Sequence, residues 1–124
     1  MPYNEARLAN VLPAGINERS VFYYMAIRFE LGQLVATSEV ARFMNENQKF
    51  SQFIQDCLQR YISCDWGVLD ELDYEANNEA VDEDGRILAS YPIPNDIPID
   101  WEDKIWIITE WDRSYTTILF PDEY

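Results

Sequence analysis

The order of three patterns along the 124 residues predicts an α+β domain, an antiparallel β-sheet with about three helices packed on one face. A strand-like run from Ile27 to Thr37 comes first, and helical periodicity occupies the middle, from Ser38 to Ala80. Three β-rich runs follow, Arg86 to Tyr91, Lys104 to Trp111 and Tyr115 to Phe120, which predict a three-stranded meander joined by the N-terminal strand.

Residues 1–24 read as an N-terminal extension and 25–124 as a single α+β domain. Within the extension, Leu12 to Gly15 predicts a turn, and the aromatic cluster Val21 to Tyr24 has no clear period. Ile27, Phe29 and Leu31 then alternate with Arg28 and Glu30, and Leu34 to Thr37 is β-rich, so one strand bent at Gly32 is expected. Ser38 suits the cap of a short helix through Met44, with Glu39 placed favourably against the helix dipole. Phe50, Phe53, Ile54, Cys57, Leu58, Tyr61 and Ile62 recur at helical spacing opposite Gln52, Gln55, Asp56, Gln59 and Arg60, which marks a strongly amphipathic second helix.

Cys64 to Gly67 breaks that helix. Val68 to Ala80 predicts a third one, with Leu69, Leu72, Ala76 and Ala80 on the face opposite Asp70, Glu71, Asp73 and Glu75. Val81 to Gly85 reads as a loop, and Pro92, Pro94 and Pro98 keep the connection before Trp101 irregular. Asp112, Arg113 and Ser114 suit a tight hairpin, with Asp112 supplying an Asx turn and Arg113 pairing with Glu110 or Asp112.

Charge is divided unevenly along the chain. Residues 1–60 carry six acids and six bases, whereas residues 61–124 carry 17 acids and three bases, so the whole formal charge of −14 arises in the second half. Such a pole repels nucleic acid and membrane surfaces and attracts basic protein grooves. At 48% apolar and 15% aromatic residues, the composition is that of a packed globule rather than a disordered acidic tail. No apolar run has the length of a membrane span or signal core, and Cys57 and Cys64 are expected to be reduced thiols in a cytoplasmic protein.

The chain has no His, which removes Ser-His and Cys-His nucleophilic pairs and His-ligated zinc. Asp82, Glu83, Asp84 and Gly85 fail as a calcium loop, because with Gly85 at loop position 6 the end ligands would be Ala80 and Tyr91. A carboxylate pair could still act as acid and base, but no two of the 23 acids are distinguished by their pattern, so no enzymatic activity, cofactor or metal is expected.

Asp65, Asp70, Glu71, Asp73, Glu75, Glu79, Asp82, Glu83 and Asp84 place nine acids within twenty residues, with no base between Arg60 and Arg86. On a helix these acids form either a solvated face or a stripe comparable to DNA phosphates, able to occupy a basic channel. Trp101 and Trp111, at strand edges, suit exposed anchors for a protein partner. The edge Tyr115 to Phe120 offers pairing between two copies of the chain.

Cys64-Asp65-Trp66-Gly67, Asn77, Arg86 to Tyr91, Ile105 to Ser114 and Thr116 to Tyr124 together resemble a family of small acidic bacterial proteins labelled "plasmid-related", found on plasmids and other mobile elements. The resemblance spans Leu31 to Tyr124 and is most specific in the last forty residues. This chain has Trp111 where the family usually has Ala and Cys64 where it usually has Gly. What the resemblance implies is a cytoplasmic accessory protein of mobile DNA, with no implied reaction.

The expected function is therefore a non-enzymatic protein that binds a basic protein surface, with a host defence enzyme of the restriction or CRISPR kind as target and a DNA mimic as mechanism. Direct binding to nucleic acid or membrane is not expected. The alternative is a small structural or regulatory interaction module that uses an aromatic patch around Trp101 and Trp111, its charge serving solubility.

Overall fold

The computed structural model describes residues 29–124 together with the strand Glu5–Arg7. The expected turn at Leu12 to Gly15, the cluster Val21 to Tyr24 and the start of the first predicted strand at Ile27 lie outside the described residues. Among the described residues, elements follow in the order β1 (Glu5–Arg7), β2 (Gln33–Thr37), α1 (Ser38–Glu46), α2 (Gln48–Ile62), α3 (Glu71–Glu83), β3 (Ile87–Pro92), β4 (Lys104–Thr109) and β5 (Tyr115–Leu119), with a 3-10 turn at Pro121–Glu123. The class is α+β, as the sequence predicts. Of the predicted extension, Glu5–Arg7 pairs antiparallel with β2.

The sheet is mixed rather than antiparallel, in the order β1-β2-β5-β4-β3. β3, β4 and β5 form the predicted antiparallel meander, but β5 also lies parallel to β2, with Leu34 opposite Thr116 and Ala36 opposite Ile118. Hydropathy patterns mark a strand without its direction. A parallel pair needs only a connection long enough to return the chain to the same end, and everything from α1 to β4 serves as that connection. Because β5 is enclosed between β2 and β4, the Tyr115 to Phe120 edge expected to pair two copies is not an edge.

Gly32 ends the run Phe29 to Leu31, which is irregular rather than the start of a bent strand. Its φ is +65°, and a Cβ there would lie 2.2 Å from the Arg113 carbonyl oxygen, so only glycine permits the approach to the hairpin. Thr37, not Ser38, caps α1: its hydroxyl accepts from the Val40 N–H at 3.3 Å. Asn47 caps α2 through the Phe50 N–H at 2.9 Å.

The predicted apolar face of α2 is buried as expected through Phe50, Ile54, Cys57, Leu58 and Tyr61. It packs with Val40 and Phe43 of α1 on the sheet face bearing Ala36, Ala89, Ile107 and Ile118. Each large apolar side chain of this layer, such as Phe50, Ile54, Leu58 or Ile107, contributes about 1.5–3 kcal/mol on removal from water. Within that layer the Tyr61 hydroxyl bonds Thr109 Oγ1 at 2.6 Å, Thr109 bonds Thr116 Oγ1 at 2.7 Å, and Thr116 donates to the Leu31 carbonyl at 2.7 Å. Burial is the main reason the Tyr61 pKa is raised. Cys57 is a buried thiol, and burial also raises its pKa.

α3 departs most from its prediction. It begins three residues late and extends through the expected loop to Glu83, and its buried residues are Asn77 and Ala80, whereas Leu72 is 83% exposed and Ala76 is also exposed. Asn77 is the reason. Its Nδ2 donates to the Leu88 carbonyl at 2.8 Å, and its Oδ1 accepts the Leu88 N–H at 3.2 Å, so one amide occupies the outer edge of β3 as a neighbouring strand would. Further along, the Ser90 N–H donates to Trp66 O at 3.0 Å and Ser90 O accepts from Val68 N–H at 2.8 Å. That edge is thereby closed to pairing.

Asn77→Ala should cost about 2 kcal/mol, because it leaves the amide and carbonyl of Leu88 without partners at a partly buried edge. Urea denaturation checks this, and a loss below about 0.5 kcal/mol would show that α3 is held by other contacts.

Candidate functional site

The connection between α2 and α3 is built from the Cys64 to Gly67 string. Cys64 has φ 63° and Gly67 φ 77°, and a Cβ on Gly67 would sit 2.0 Å from the Ser90 carbonyl oxygen. Trp66 is fully buried against Tyr61 and Phe29, at ring-centroid distances of 5.4 and 6.0 Å, and its Nε1 donates to Asn78 Oδ1 of α3 at 2.9 Å.

Asp65, the first of the predicted site acids, has its carboxylate engaged within the fold. Arg60 Nε and Nη2 donate to it at 2.7 and 3.2 Å, and it accepts the Gly67 N–H at 3.1 Å. The guanidinium of Arg60 is the main cause of a pKa lowered below the ordinary aspartate value.

The other eight acids differ. Asp70, Glu71, Asp73, Glu75, Glu79, Asp82, Glu83 and Asp84 are all exposed, and among the described residues none forms an ion pair. Asp70 caps α3 by accepting the Asp73 N–H at 2.8 Å, and Asp84 takes the left-handed position that ends it, at φ 59°. At 1.5 Å per residue these eight charges span about 21 Å, a mean axial spacing of about 3 Å, against one per about 1.7 Å of duplex axis.

Their polarity is informative. Glu71 and Asp73 in the first turn suit the positive end of the helix dipole, but Asp82, Glu83 and Asp84 face its negative end, and α3 has no base in its last turn. The missing cation comes from the hairpin. Arg113 does not pair with a Glu110 or Asp112 carboxylate as expected. It reaches back to α3, donating Nη2 to the Ala80 carbonyl and Nη1 to the Gly85 carbonyl, both at 2.6 Å, with its guanidinium 5.9 Å from the Phe29 ring centroid. The Asx turn is as predicted, with Asp112 Oδ1 accepting the Ser114 N–H at 3.0 Å.

Arg113 thereby brings Trp111, 67% exposed, to the same end of the molecule as Asp82 to Asp84. Trp101 lies at the other end. It precedes β4 and Trp111 follows it, and the six residues of β4 separate them by about 20 Å, so the two do not form one patch. Trp101, 49% exposed, contacts Phe43 and Phe120 edge-on, with ring centroids at 5.8 and 6.3 Å. Beside the start of α3, Val68 is 69% exposed and, with Asp103 and Lys104, lines a cavity of about 150 Å³.

Sequence reasoning missed Leu72 and Val68 as surface residues and Arg113 as the residue that joins the hairpin to α3. A helical-wheel signal existed in Tyr74, Asn77, Ala80 and Val81, which share a face, but a polar Asn in the buried position obscured it. Among the described residues, no group of three His, Cys, Asp or Glu side chains is placed to hold a metal ion, and no helix is long and apolar enough to cross a membrane. No protein-family model, curated protein or solved structure matches this chain.

Proposed function

We propose that this chain is a non-enzymatic accessory protein of mobile DNA that binds a basic protein surface through α3, the helix standing in for a stretch of DNA backbone in the groove of a nucleic-acid-binding defence enzyme. The observation that carries this reading is the set of eight exposed carboxylates along one helix, none in an ion pair among the described residues. Three of them crowd the end where the dipole opposes them. Stability alone would favour bases there. The link to mobile DNA rests on the residue strings that resemble the plasmid-related family.

Capture from a bacterial lysate on the immobilised protein tests the reading. The partner should be retained at about 50 mM salt and released before about 500 mM, since exposed charges are screened within a few ångströms at high ionic strength. A duplex DNA oligonucleotide should displace it competitively. Retention that resists salt would overturn the electrostatic reading, and salt release without displacement by DNA would overturn mimicry.

The exposure of Leu72 and Val68 beside the acids, and of Trp111 at the far end of the helix, supports a second reading. In it, short-range apolar contact carries the affinity and the charge serves solubility. Partner binding that survives high salt but is lost in Trp111→Ala would favour it.

A further inference from the structure

Among the described residues, α3 is held to the fold along one side. Asn77 and Ala80 are its buried residues; the Asn77 amide pairs with Leu88 at the sheet edge, Asn78 accepts the Trp66 Nε1–H, and Arg113 donates to the Ala80 carbonyl. The opposite side is open to water. Leu72 is 83% exposed, more than any other large apolar residue described, and Ala76, one turn further on, is exposed as well.

Leu72 and Ala76 stand about 6 Å apart along the helix axis. Glu75 and Glu79 follow Leu72 at i+3 and i+7, so a single outer face passes from methyl groups into carboxylates. Val68, 69% exposed, adds a second branched aliphatic side chain just before the Asp70 cap. Leucine has nearly the helix propensity of Lys, Glu or Gln, so the helix gains nothing from an apolar residue at so exposed a position. An aliphatic centre inside a charged rim is instead the arrangement in which interface affinity concentrates.

Charge and shape together select what covers this face. Nucleic acid and anionic lipid are repelled by the carboxylates, and a plain oligocation would neutralise the acids but leave Leu72 and Ala76 in water. A segment that carries aliphatic anchors with Lys or Arg around them meets both requirements. On a helix such anchors recur at i and i+4, the same spacing of about 6 Å that separates Leu72 from Ala76, and the small Ala76 side chain lets two helix axes approach closely. Bases one or two turns beyond the anchors then reach Glu75 and Glu79. We infer that the outer face of α3 receives a basic amphipathic helix of a partner protein, anchored on Leu72 and Ala76 and held by Glu75 and Glu79. The inference rests on the proposed role of α3 and names the element of the partner that docks there.

An NMR titration of the intact protein with three amidated peptides of equal net charge tests this. The first is a peptide of about 16 Lys, Arg, Leu and Ala residues with its leucines on one helical face, the second has the same composition scrambled around the helix, and the third is oligo-lysine. At low salt the first should shift the amides of residues 71–83 saturably, with a Kd of about 10–100 µM, and bind at least about tenfold more tightly than the other two. Leu72→Gln should raise the Kd of the first peptide about tenfold while that of oligo-lysine stays within about twofold, because no charge changes. Unchanged amide positions outside α3 check that the variant keeps its fold.

Equal affinity of the three peptides for α3, or an unchanged Kd in Leu72→Gln, would overturn this inference and leave the electrostatic reading of α3 standing. Shifts centred on Trp101 or Trp111, or no saturable shift in residues 71–83 with any peptide, would overturn both.

Discussion

Arg113→Asn is expected to lower the stability of the protein by about 3 kcal/mol, the largest loss foreseen for any single side chain outside the apolar core. Two charge-assisted hydrogen bonds disappear, to Ala80 O and Gly85 O, each worth about 1.5–3 kcal/mol when the geometry is this short. The helix then ends in three acids with no cation near its last turn. Asn is the informative replacement because Arg113 has φ 62°, a conformation Asn tolerates and Ala does not, so the measured change reports the side chain rather than backbone strain. Arg113→Lys should recover less than half of the loss, since one ammonium lacks the fork that spans both carbonyls. Urea denaturation gives the magnitude, and amide exchange locates it in residues 79–85. A change below about 1 kcal/mol, or exchange spread evenly over the chain, would mean that α3 is held by Asn77 and Trp66 alone.

Neutralising the C-terminal acids of α3 should separate function from stability, because the two effects have opposite signs. Asp82→Asn, Glu83→Gln and Asp84→Asn together are expected to stabilise the fold by about 1 kcal/mol through relief of the dipole, and Asn is well suited to the left-handed position of Asp84. The same triple variant should weaken binding to the salt-labile partner about tenfold to a hundredfold at low ionic strength. Asp70→Asn, Glu71→Gln, Asp73→Asn and Glu75→Gln together should also weaken binding but lower stability, since Glu71 and Asp73 sit in the first turn, where the dipole favours them. Thermal unfolding and partner titration on both variants give the two readouts. Binding unaffected in both, with loss only in Trp111→Ala, would replace the electrostatic reading by the apolar one.

Legibility in the sequence followed the kind of interaction involved. α2 was readable residue by residue, because its apolar positions repeat at i, i+3, i+4 and i+7 and the burial of Phe50, Ile54, Cys57, Leu58 and Tyr61 follows from that spacing. The strands of the meander and the turn at Asp112 to Ser114 were readable for a similar reason, since local alternation and a short polar linker are near-neighbour properties. The acidity of the second half was likewise on the surface of the sequence, and exposure of those acids follows from the cost of burying an unpaired charge.

What the sequence by itself determined is thus the class, the main helix, the meander and the sign of the field. The direction of β5 beside β2, the face that α3 buries, the partner of Arg113 and the separation of Trp101 from Trp111 were decided only by the tertiary structure. Each depends on a contact between residues far apart in the chain: Leu34 with Thr116, Asn77 with Leu88, Arg113 with Ala80, Trp101 with Phe43. Periodicity records what a residue does relative to its neighbours on one helix or strand. It carries no trace of an amide that replaces a strand at a sheet edge, or of a guanidinium that caps a helix thirty-odd residues earlier.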